Sequence, residues 1–61
     1  MREARELGNR LAELEGERQR LRAYMADKAK GGDWHGVADA ANDLRELETE
    51  ERVLRWVLEG R

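Results

Sequence analysis

Ala4, Leu7, Leu11, Leu14, Arg18, Leu21, Met25 and Lys28 follow one another at alternating steps of three and four. That spacing places side chains on one stripe of an α-helix. Val37, Ala40, Leu44, Leu47, Glu51, Leu54, Leu58 and Arg61 repeat the pattern in the second half of the chain. Between the two stripes stands Lys30-Gly31-Gly32-Asp33, the one strong break in a chain without proline. The remainder is rich in Ala, Leu, Arg and Glu, all good helix formers. The pattern predicts helices over about 2–30 and 34–59, joined by a turn at 31–33, within one domain spanning 1–61.

The ends of these helices carry their own signals. Gly31 suits a left-handed C-cap, and Lys28 and Lys30 lie where the helix dipole favours cations. Asp33 suits the next N-cap, with Gly36 at the third helical position in place of a capping-box Glu or Gln. Gly60 closes the second helix. Pairing the stripes across the turn gives layers whose residue numbers sum to 65: Met25 with Ala40, Leu21 with Leu44, Arg18 with Leu47, Leu14 with Glu51, Leu11 with Leu54, and Leu7 with Leu58. The centre of that register falls between Gly32 and Asp33, inside the turn found independently. The expected fold is therefore all-α, an antiparallel two-helix hairpin.

Two charges, Arg18 and Glu51, interrupt the seam in adjacent layers. The simpler expectation is that both snorkel outward, Arg18 to Glu15 and Glu51 to Arg55, one helical turn away. The alternative is that they pair with each other and fix register.

Apolar positions exceed what one hairpin can cover. Val53, Leu54, Trp56, Val57 and Leu58 surround the end of the second helix, and Trp56 lies opposite the seam. The 61 residues hold only 16 apolar side chains larger than alanine, too few to stabilise two helices alone. Self-association into a dimeric four-helix bundle is the expected remedy. Leu7, Leu11, Leu14, Leu21, Met25, Leu44, Leu47, Leu54 and Leu58 would form its core. Val53, Trp56 and Val57 would join the subunit interface or face a partner.

Composition removes most chemistry. Without Cys there is no disulfide scaffold, thiol nucleophile or cysteine-ligated metal, and without Ser there is no serine nucleophile. His35 is the sole histidine; with Asp33 and Asp39 it makes a weak metal set, and an exposed His near a helix start is the plainer reading. Carboxylates abound, but paired acids need a cleft that shifts their pKa values. The expectation is a protein that is not an enzyme and carries no metal or cofactor. The absence of a long apolar run or an apolar leader points away from secretion or membrane insertion and toward the cytoplasm.

Charge changes the picture once more. Residues 1–30 carry a net +2 and residues 33–61 a net −4. Asp39, Asp43, Glu46 and Glu50 form an acidic stripe beside the second seam, a candidate face for a basic protein partner. Arg18, Arg20, Arg22, Lys28 and Lys30 gather near the turn, a candidate nucleic-acid surface. An overall pI of 5.4 and the lack of stacking aromatics among these cations place nucleic acid second. In shape the expected dimer resembles the plasmid RNA-binding Rop proteins, which implies an RNA-binding alternative with no residue-level match behind it. The segment from Gly32 to Glu48, with its Gly-Asp-Trp turn and Ala-Ala-Asn-Asp-Leu-Arg-Glu-Leu-Glu helix, resembles small uncharacterised phage and prophage hairpin proteins. That resemblance covers the middle third of the chain and implies a phage-type accessory factor. The expected function is that of a small homodimeric interaction or regulatory protein that binds another protein. A structural subunit of a larger helical assembly is a further alternative.

Overall fold

The computed structural model describes residues 2–60. Two helices, α1 (Arg2–Lys30) and α2 (Trp34–Glu59), account for nearly all of them. They pack side by side as an antiparallel hairpin with the boundaries that the hydrophobic pattern predicts. Arg61, the last seam position of the sequence, lies outside the described residues.

The turn differs in one residue from expectation. Gly32, not Gly31, takes the left-handed conformation, with φ +77°. The backbone explains why. The Gly32 N–H donates to the Ala29 carbonyl at 3.1 Å, and the Asp33 N–H donates to the Lys28 carbonyl at 2.9 Å. These two bonds are the Schellman closure of α1, in which the residue after the C-cap must be left-handed. Gly31 still donates to Asp27 at 3.2 Å, as a last helical residue would. Asp33 then caps α2 directly: its Oδ1 accepts the Gly36 N–H at 2.9 Å. One residue thus ends one helix and starts the next. Gly36 is suited to that cap, since a Cβ there would stand 2.9 Å from the Asp33 carboxylate.

The core is small and central. Leu14 is 1% exposed, Ala40 2% and Leu47 7%. The other expected core residues, Leu7, Leu11, Leu21, Met25, Leu44, Leu54 and Leu58, are only half-buried in the single hairpin. Two helices can cover just the line between them, so apolar side chains toward each end of the seam keep one side open. Extents of 46 × 15 × 11 Å and a radius of gyration of 14.1 Å describe a rod. A compact chain of this length would have a radius of about 10.5 Å.

Candidate interaction groove

The two flanks of the helix pair are closed differently. On one, Arg55 donates to Glu15 at 2.9 Å and Arg22 lies 3.6 Å from Glu48, so ion pairs stitch α1 to α2. Their residue numbers sum to 70. On the other flank Arg10 holds Glu50 with two hydrogen bonds, Nε to Oε2 at 2.9 Å and Nη2 to Oε1 at 3.1 Å, and their numbers sum to 60. The two flanks therefore bracket the 65 of the seam, as side-by-side antiparallel helices require.

Arg18 and Glu51 do not snorkel apart. The Arg18 guanidinium donates to Glu51 Oε1 at 3.2 Å, and Glu51 is only 4% exposed. Glu15 and Arg55, the expected separate outlets, are already engaged with each other. Glu51 lies one layer from Arg18 and across from Leu14, where the core is tightest. Its second oxygen, Oε2, is buried without a hydrogen-bond partner.

Beyond the Arg10–Glu50 bridge, toward the turn, the flank opens into a groove of about 700 Å³. Its floor is apolar: Leu14, Leu21, Ala40 and Leu47. The α1 wall carries Arg10, Glu17, Arg20 and Tyr24, and the α2 wall carries Asp39, Asp43, Glu46 and Glu50. All four residues of the predicted acidic stripe thus line one wall. Glu50 is spoken for by Arg10, whose hydrogen bonds hold its carboxyl below the usual 4.5. The stabilisation from that pair is whole above the ordinary carboxylate range and fades as pH falls through the lowered value of Glu50. Arg10 also reaches Glu13 at 3.3 Å and Glu17 at 3.8 Å. Among the described residues Arg20, Asp39, Asp43 and Glu46 take no ion pair.

The predicted basic patch is largely consumed within the hairpin. Arg18 and Arg22 are paired across to α2, and Lys28 sits 3.9 Å from Asp33 with its ammonium 5.2 Å from the Tyr24 ring centre. Among the described residues, only Arg20 and Lys30 of the five take no acidic partner. Arg10 and Tyr24, which shape the groove, were not among the predicted site residues. Their positions one step off the α1 seam, at the flank facing Glu50, were the available signal.

Trp56 is 70% exposed, and Trp34, Val53 and Tyr24 are about half exposed or more. Val57 is half-buried. His35 is exposed, and among the described residues no group of three His, Cys, Asp or Glu side chains is placed to hold a metal ion. No described helix is long and apolar enough to cross a membrane. Comparison with protein-family models, curated proteins and solved structures finds no match to this chain.

Proposed function

We propose that the chain is a non-enzymatic interaction protein that works as a homodimeric four-helix bundle, with a protein partner bound on its outer surface. One observation carries this reading. The hairpin exposes 4894 Å², whereas a compact monomer of 7.1 kDa would expose about 4,100 Å². The excess, about 800 Å², is one partner's share of a standard protein–protein interface. The half-buried seam residues Leu7, Leu11, Leu21, Leu44, Leu54 and Leu58 are apolar surface that a second hairpin could cover further.

A dimer closed over the groove would leave Trp56, 70% exposed and away from the groove's α2 wall, on its outside. A large exposed aromatic is the kind of anchor that protein interfaces use, and a phage-type accessory role is compatible with it. The nucleic-acid alternative is weaker, because Arg18, Arg22 and Lys28 already have partners within the hairpin. Thermal unfolding followed by circular dichroism tests the dimer. Its midpoint should rise by about 5 °C for each tenfold increase in protein concentration. A midpoint independent of concentration would contradict it.

A further inference from the structure

We infer that a second copy of this chain occupies the groove with its turn at the same end, so that each α1 lies against the partner's α2. This inference rests on the dimeric reading above and adds the orientation. Two hairpins facing each other groove to groove can obey two-fold symmetry in two ways. With the axis parallel to the helices, α1 faces the partner's α2. With the axis across them, α1 faces α1 and α2 faces α2.

The walls of the groove decide between the two. The α2 wall presents Asp39, Asp43 and Glu46 and the α1 wall presents Arg20, all four without an ion pair among the described residues. Glu17, the acid on the α1 wall, lies within reach of Arg10. The crosswise axis would set one acidic wall on the other in a partly dehydrated interface, which costs affinity. The parallel axis instead sets Arg20 against the acidic wall, with Glu17 held back by Arg10. It also preserves height along the rod, so the register sum of 65 holds between subunits. A partner's α1 residue 20 then stands level with residue 45 of α2, between Asp43 and Glu46. By the same rule the Tyr24 hydroxyl comes level with residue 41, where it can donate to Asp39 or Asp43. Symmetry makes each of these contacts twice, and Leu21, the half-buried residue of the groove floor, lies beneath them.

The chain has no cysteine, so a single Gly31→Cys variant carries one spin label at the turn. A Cβ at Gly31 meets only ordinary contacts at 3.9 Å. Electron–electron distance measurement on the labelled dimer should give a separation below about 25 Å, the width of a four-helix bundle with helices 8–10 Å apart. A separation near the helix length, about 40 Å, would overturn the orientation while leaving the dimer standing. A monomer under the same conditions would instead remove the dimeric reading on which the inference rests. Charge exchange supplies the second arm. Arg20→Glu alone, or Asp43→Arg with Glu46→Arg, should each weaken dimerisation about tenfold with helicity unchanged. The three substitutions together should restore it. Failure of the triple variant to recover would reject the pairing of these walls.

Discussion

Single residues determine how this hairpin turns and what its centre tolerates. Gly32 holds φ +77° and Gly31 does not, so their substitutions should behave differently. Gly32→Ala should destabilise the fold by about 1–2 kcal/mol, the cost of a left-handed Cβ. Gly31→Ala should be neutral or slightly stabilising in the same chemical denaturation series. Equal effects would place the left-handed residue wrongly. The Arg18–Glu51 pair carries a second asymmetry. Glu51 is buried with one oxygen already lacking a partner, whereas the Arg18 side chain is 31% exposed. Arg18→Leu removes the one donor and strands a buried carboxylate, which should cost about 3 kcal/mol. Glu51→Leu frees an arginine that can reach water and fills the layer across from Leu14, so it should be neutral or stabilising. If both substitutions destabilise alike, the pair holds the helices together rather than merely satisfying Glu51. Either glycine of the turn could have supplied the left-handed residue on sequence grounds, and only the backbone bonds from Gly32 and Asp33 choose between them.

At the scale of the element, hydrophobic spacing contains almost everything about α1 and α2. The helix limits, the Asp33 cap and the antiparallel register all follow from where leucines, glycines and one aspartate stand. What it leaves open is the behaviour of long charged side chains. Arg18 has Glu15 one turn before it on its own helix, and local spacing favours that partner. In the folded hairpin Arg55 reaches Glu15 from α2, and Arg18 turns to the carboxylate that would otherwise be buried alone. The acidic stripe was legible as a stripe, because its steps of four, three and four are helical. Its place on the wall of a groove was not, since that depends on Arg10, Arg20 and Tyr24 approaching from the other helix. Cross-helix ion pairs are a property of two faces at once, and a pattern read along one chain segment shows only one of them.

For the whole molecule, the governing fact is a rod with a narrow core. Leu14, Ala40 and Leu47 are enclosed, but seven further seam residues from Leu7 to Leu58 are covered on one side only. The half-open seam, the surplus of exposed surface, and the unpaired charges of opposite sign on the two groove walls have one common remedy, a second copy laid over the groove. The outer surface that remains, with Trp56, is then the place to look for a protein partner. The measurement that bears most directly on this account is sedimentation equilibrium of the intact chain across a concentration series. The account expects a helical species of twice the 7.1 kDa chain mass, dissociating on dilution. A helical species that keeps the mass of one chain throughout the series would contradict it.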